Sequence, residues 1–305
     1  TLIEHDTDLA WEIPGGLLEF ERTYSSARSE RGQLGIGWTH SFERRIVPWD
    51  ADTMTEVSGR GSARAFRRNS TGGFDPSTDG VATLRQEADG TWIVAYWGRS
   101  TFRYRADGRL SSWKNWAGNE CTLEYSATGD LLRVVDPSGN ALTFEIVDGL
   151  IRSLTAKNGD RCQFAYTAGG YLTAVTNTRG KLTTYGYGAV TGKLTRITRP
   201  TGGRLEIAYD PQGRVSSTGT VSTQGRVSRS TFEYPSALTR RHTDPSGRLI
   251  TYAYSEAGYP LKRTDPDDNA YEVTRDDAGR ITSAKDAEGH LQTWTYDSAG
   301  RELSY

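Results

Sequence analysis

Cysteine is scarce in this chain. Two cysteines in 305 residues are too few for a disulfide framework. The four histidines, His5, His40, His242 and His290, stand nowhere near one another, so no metal-ligand spacing is present. No window approaches the roughly 18 apolar residues that a membrane-crossing helix needs. Thr1-Leu2-Ile3-Glu4-His5-Asp6 has neither the basic flank nor the apolar stretch of a secretory leader. A first residue other than Met leads us to expect a piece excised from something longer. Charge of one sign is lacking too: 37 Lys and Arg against 38 Asp and Glu leave a net charge of −1, which gives no global drive toward nucleic acid or an anionic membrane. With glycine counted and tyrosine set aside, apolar residues come to about 41 %, below the roughly 45–50 % of ordinary globular chains. That supply is thin for a compact block. What the chain does have is aromatics, eight Trp, sixteen Tyr and eight Phe, enough to order a large surface.

The aromatics reveal a repeat, which must be sought before any other feature because missing it misreads the fold. Tyrosines recur with a glycine four residues later: Tyr104 with Gly108, Tyr125 with Gly129, Tyr166 with Gly170, Tyr209 with Gly213, Tyr254 with Gly258, and Tyr296 with Gly300. Tyr187 fits with one extra residue before Gly192. Ile146 and Arg275 (with Gly279) take the tyrosine place in two units, and Tyr234 opens a unit without the first glycine. The anchors step by 20 to 25 residues, most often 21. A second glycine follows ten residues after the first, as Gly118, Gly139, Gly159, Gly180, Gly202 and Gly289, and Gly247 fills that place in the unit of Tyr234.

Each glycine marks a turn. Asp136-Pro137-Ser138-Gly139 and Asp244-Pro245-Ser246-Gly247 read as type I turns. The five to seven residues between turns are rich in Thr, Val, Ile, Tyr and Leu, which is strand composition. Counted from the second glycine, place +3 holds Cys121, Leu142, Cys162, Leu205, Ile250 and Tyr271, and place +5 holds Leu123, Phe144, Phe164, Tyr185, Ile207, Tyr252, Val273 and Trp294. The intervening place is mostly polar, so the period of two predicts strands with one apolar face. The first run of each unit keeps apolar residues at places +2 and +5, which differ in parity and predict a β-bulge there. Nine units of about 21 residues predict eighteen strands, too many for an open sheet to stay flat. The ribbon should coil, with an inside and an outside.

Residues 1–50 lack the repeat. They carry Pro14-Gly15, then Arg22-Thr23-Tyr24-Ser25, then Gly35-Ile36-Gly37-Trp38. Residues 51–103 read as irregular strands, with turns at Gly59, Gly72-Gly73, Asp79-Gly80, Asp89-Gly90 and Gly98. The unit Tyr-Asp-x-x-Gly-Arg, complete at Tyr209–Arg214 and Tyr296–Arg301, together with Asp-Pro-x-Gly, resembles the YD repeat of the Rhs family of bacterial polymorphic toxins. The leading motifs resemble the region that precedes those repeats in Rhs proteins. The repeat alone is shared with teneurins, wall-associated proteins and insecticidal toxin-complex C subunits. The division implied is residues 1–50 as the Rhs lead-in, 51–103 as irregular β, and 104–305 as YD-repeat shell stopping in mid-unit.

The resemblance implies an all-β fold, a YD-repeat solenoid in which a spiralling antiparallel sheet forms the wall of a hollow cocoon around a C-terminal toxin domain. It also implies delivery from the producer's cytoplasm by a type VI secretion system. The partners implied are the remainder of the shell, the toxin domain and secretion-system spike proteins, with no nucleic acid and no membrane for this segment. No PAAR-like region, autoproteolytic segment or toxin is present. The rival class is a cell-surface module whose Tyr- and Trp-bearing strands contact carbohydrate.

No catalytic, cofactor or metal site is expected. The histidines read as surface or turn residues. Asp265-Pro-Asp267-Asp268-Asn269 looks like the start of a calcium loop, but Ala270 stands where a glycine is needed and Asp276 where a glutamate is. Cys121 and Cys162 fall on the apolar face, where buried inert thiols are the default. They sit two units apart, too far for a disulfide. Arg60, Arg64, Arg67 and Arg68 read as a solvated strand face. The tyrosine column could stack sugars or bases, although cross-strand packing explains it better. The turn glycines and anchor tyrosines are therefore the residues expected to carry the structure.

Overall fold

The computed structural model describes residues 1–77, 80–297 and 301–304. Every regular element among them is a β-strand. The chain forms two compact units, Thr1–Leu194 and Thr195–Tyr305.

In the first unit a long hairpin, Ile3–Ile13 with Gly16–Ser25, takes Trp38–His40 as a third strand. Arg45–Pro48, Thr53–Val57 and Ala63–Arg67 form a second three-stranded sheet. From Ala82–Gln86 to Leu182–Tyr187 each strand then pairs antiparallel with the next. The second unit repeats this meander from Arg204–Tyr209 to Leu291–Thr293. Thr295–Tyr296 pairs with Glu302–Ser304.

The alternation predicted from sequence sets the two faces. In Glu120–Tyr125, Cys121 and Leu123 are buried while Thr122 and Glu124 are exposed. The same pattern holds in Ala141–Val147 and Arg161–Tyr166. The outward places carry charges paired along or across strands: Arg133 with Glu124 at 3.1 Å, Lys114 with Glu120 at 3.3 Å, and Lys262 with Glu272 at 2.7 Å.

The first unit is filled rather than open, which the thin apolar supply did not suggest. Its core combines the inward places of the ladder with side chains of the leading segment, including Leu18, Phe20, Leu34 and Trp38. Phe20 meets Phe144 and Phe164 at 5.9 and 6.1 Å between ring centroids, and Trp38 meets Tyr185 at 5.1 Å. Repeat residues make one apolar face; the other half of this core comes from residues 1–50, which have no repeat pattern to betray it.

Candidate functional site

The predicted bulge is present, and it explains the anchor residue. The ladder register shifts between Arg103 and Tyr104, Glu124 and Tyr125, Glu145 and Ile146, and Ala165 and Tyr166 in the first unit. In the second it shifts at Tyr209, Tyr254, Arg275 and Tyr296. Tyr125 faces Leu110's counterpart Leu131, and Glu124 faces Arg133, so Leu132 is the extra residue. A bulge disrupts the ladder locally. In the next unit along, the anchor hydroxyl donates to the carbonyl of the residue that begins the preceding bulge. Tyr125 Oη reaches Leu110 O at 2.7 Å, Tyr166 reaches Ile151 O at 2.7 Å and Tyr187 reaches Leu172 O at 2.8 Å. Tyr234 reaches Val215 O and Tyr296 reaches Ile281 O, both at 2.8 Å. Tyr104 instead donates to the Glu56 carboxylate. The amide of Tyr254 donates to Leu238 O at 2.8 Å.

The rest of the motif builds the turn. Gly108, Gly129, Gly139, Gly170, Gly213, Gly247 and Gly279 all have positive φ; Gly300 lies outside the described residues, as do Asp79 and Tyr305. The aspartate caps its own turn: Asp276 Oδ1 accepts the N–H groups of Ala278 and Arg280, and Oδ2 accepts Arg280 Nε at 2.7 Å. Arg280 then lies over the Tyr296 ring at 4.7 Å, as Arg214 lies over Tyr234 at 4.2 Å after pairing with Asp210. Tyr-Asp-x-x-Gly-Arg is thus a staple, a cap, a left-handed turn and a stacking cation.

Against the inward face of the first unit the leading hairpin brings a buried ion network. Arg22 pairs with Asp8 at 2.7 Å and Asp6 at 3.1 Å and donates to the Tyr185 hydroxyl. Burial pushes the Asp8 carboxyl up against the pull of Arg22, and burial likewise raises the Tyr185 hydroxyl. A second network joins Arg44 and Glu56 at 2.8 Å, with the hydroxyls of Tyr96 and Tyr104 on the same carboxylate. Neither was legible in the sequence, because the partners stand up to 163 residues apart. The segment is also tied to the turns: Ile46 N donates to Gly108 O at 2.8 Å, and Ile36 N to Gly170 O at 3.1 Å.

The residues tested for chemistry fall elsewhere. His40 is fully buried against Phe20, with its ring 5.1 Å away, so the expectation of a surface or turn histidine is wrong for it. Burial lowers its pKa to about 3 and raises that of neighbouring Glu43 to about 7. Its neutral ring replaces a hydrophobe in an aromatic cluster, which no local pattern announces. Cys121 and Cys162 are free and buried, with burial pushing both thiols up to about 12. Asp265 is committed to its turn, accepting the N–H groups of Asp267 and Asn269 at 2.9 Å each, and Asp268 takes the left-handed glycine place with φ 62°. Arg60 pairs with Glu21, Arg64 donates to Tyr96, and Arg68 covers Phe74. One group was missed: Asp286, Glu288 and His290 bring ligand atoms within 4.8 Å of one another. It is the same turn again, with His290 Nδ1 on Asp286 Oδ2 at 2.8 Å where other units have arginine.

A cleft of about 760 Å³ opens between Arg28, Arg31, Arg45 and Arg109 on one hand and Glu30, Glu43, Asp107 and Asp130 on the other. It mixes signs, and the hydroxyl–carboxylate contact within its lining, Thr128 Oγ1 donating to Asp130 Oδ2 at 3.0 Å, belongs to a repeat turn. No helix among the described residues is long and apolar enough to cross a membrane.

Two family models match. One, described as a domain of unknown function (DUF6531), covers residues 1–66, and the other, the RHS repeat, covers residues 237–270 and 275–305. The chain is 28 % identical over 336 residues to "Probable deoxyribonuclease RhsB" of Dickeya dadantii, a match covering 96 % of this chain and 22 % of that protein. It is 27 % identical over 165 residues to "Double-stranded DNA deaminase toxin A" of Burkholderia cenocepacia, covering 53 % of this chain and 11 % of that one. The chain therefore spans about a tenth of one relative's length and about a fifth of the other's. The solved structure "Crystal Structure of TcdB2-TccC3-Cdc42" is similar at a TM-score of 0.42 and 12 % identity, over 99 % of this chain and 20 % of that one.

Proposed function

We infer that this chain, an Rhs/YD-repeat protein, serves as a section of a toxin shell whose wall encloses a C-terminal toxin domain until delivery. The observation that carries this reading is the two-faced wall itself. Outward places pair their charges in solvent, inward places of the first unit are apolar or aromatic, and the same stapled bulge recurs in repeat after repeat. A repeat of this kind distributes similar side chains evenly along the sheet, which suits containment. The names of the two curated relatives, a deoxyribonuclease and a DNA deaminase toxin, support toxin activity residing in a further domain of such proteins.

In this role the leading segment closes the wall from within: its hairpin fills the inward face of the first unit and its backbone bonds to turn glycines. Export from the producer's cytoplasm, with spike proteins of a type VI system as carriers, is part of the same proposal. To test it, the product of the natural gene, with all flanking sequence, is treated with trypsin under native conditions. The toxin domain should survive while intact shell remains and be digested once the shell is opened with denaturant. A toxin domain digested at the same rate in both states would overturn the enclosure.

A further inference from the structure

In the second unit the sheet face defined by the same repeat places carries different residues. Arg240, Tyr252, Arg263 and Tyr271 lie directly opposite one another across four successive strands. They occupy the face that carries Leu123, Val134, Leu142 and Phe144 in the first unit. Arg275 takes the anchor place one step on, and His242 pairs across strands with Ile250 and Phe232 on the same face. No Asp or Glu stands at an inward place of these strands; Glu233 and Glu272 point outward to Arg241 and Lys262.

Among the described residues no carboxylate lies within ion-pair distance of Arg240, Arg263 or Arg275, although Arg263 acts on Asp265 through space and helps to lower its carboxyl. Arg240 lies over Tyr254 at 4.5 Å and Arg263 over Tyr271 at 5.7 Å, while Arg275 donates to Gly279 O and leaves its buried Nε without a partner. Asp265, at the end of the Arg263 strand, has its oxygens taken up by its own turn. Arg240, Arg263 and Tyr271 are exposed. By contrast, the outward-facing Arg133, Arg161 and Arg204 are paired with carboxylates.

We propose that this Arg–Tyr–Arg–Tyr ladder is a docking surface for an acidic, extended polypeptide segment. Charge complementarity selects the acidic class: the planar guanidinium fork binds carboxylates in two-point fashion, and the tyrosine rings between supply apolar platforms. A polypeptide is favoured over a nucleic acid because the equivalent face of the first unit is already covered by polypeptide, with Phe20 and Trp38 seated on its aromatics. A phosphate backbone would also call for a longer basic track than a chain of net charge −1 presents. The biological occupant would be a segment of whatever the shell encloses, so that identity rests on the shell reading; the binding chemistry does not.

The test is a fluorescence-anisotropy titration of the full chain with fluorescein-labelled oligoglutamate at low ionic strength. A glycine–serine peptide of equal length and a single-stranded oligothymidylate serve as comparisons. Oligoglutamate should bind saturably and weaken as salt rises. The double change Arg240→Gln with Arg263→Gln should weaken it about tenfold, while the outward pair Arg241→Gln with Lys262→Gln should change it less than about twofold. Circular dichroism checks that both variants fold. As a measurement that needs no variant, a photo-reactive oligoglutamate should crosslink to Tyr252, Tyr254 or Tyr271 rather than to outward Thr251 or Glu272. Absence of binding, equal weakening by the two double variants, crosslinks on the outward face, or oligothymidylate binding more tightly than oligoglutamate would each overturn the proposal. None of these outcomes bears on the trypsin test of enclosure.

Discussion

Tyr125 shows what a single repeat residue contributes. Its ring packs inward, and its hydroxyl satisfies the Leu110 carbonyl freed by the preceding bulge. Tyr125→Phe keeps the ring and strands the carbonyl, so it should cost about 1–2 kcal/mol in urea unfolding. The outward Thr122→Val should stay within about 0.5 kcal/mol. At the same scale, burial that raises both thiols to about 12 predicts that Cys121 and Cys162 resist iodoacetamide at pH 8 in the native chain and react promptly after unfolding. Mass spectrometry of the alkylated digest reads this directly, and rapid native labelling of either would refute it. The importance of the tyrosine was legible, since its spacing defines the repeat. Its bonding partner was not, because a backbone carbonyl has no sequence signature. The buried thiols were legible from their parity alone.

At the scale of the element, the turn glycines are alike in conformation and unlike in surroundings. Gly108 and Gly139 both have φ near +80°. A Cβ on Gly108 would lie 2.1 Å from Ile46 O, whereas one on Gly139 would meet nothing within 4 Å. Gly139→Ala should therefore cost about 1 kcal/mol of left-handed strain. Gly108→Ala should cost at least about 1 kcal/mol more, because the Ile46 N–H bond to Gly108 O must shift. Equal losses in thermal unfolding would mean that the leading segment does not dock on this turn. Strands, turns and the bulge could all be read from the period of two and its break in parity. The docking could not, since Ile46 and Gly108 share no pattern and meet only when the segment folds back on the ladder.

For the first unit as a whole, acid sensitivity follows from His40. Burial lowers its pKa from 6.5 to about 3, so the unfolded chain takes up a proton that the folded one refuses. The stability from keeping it neutral is complete above about pH 6.5 and is lost as pH falls toward 3, by about 1.4 kcal/mol per pH unit. Glu43 acts in the opposite sense: with its pKa raised from 4.5 to about 7, its contribution is complete below 4.5 and lost as pH rises through 7. Below about pH 4.5 only the histidine slope remains of the two. His40→Gln should flatten the acid limb there, as followed by urea midpoints against pH, and an unchanged limb would contradict the buried neutral ring.

If such repeats form a wall around a cargo, a cryo-electron-microscopy map of the natural gene product will show it directly. We expect a continuous wall of YD-repeat strands, with the leading hairpin seated on the inward face of residues 104–194 and density for the C-terminal domain inside. A C-terminal domain resolved outside the repeats, or repeats without an enclosed space, would contradict it.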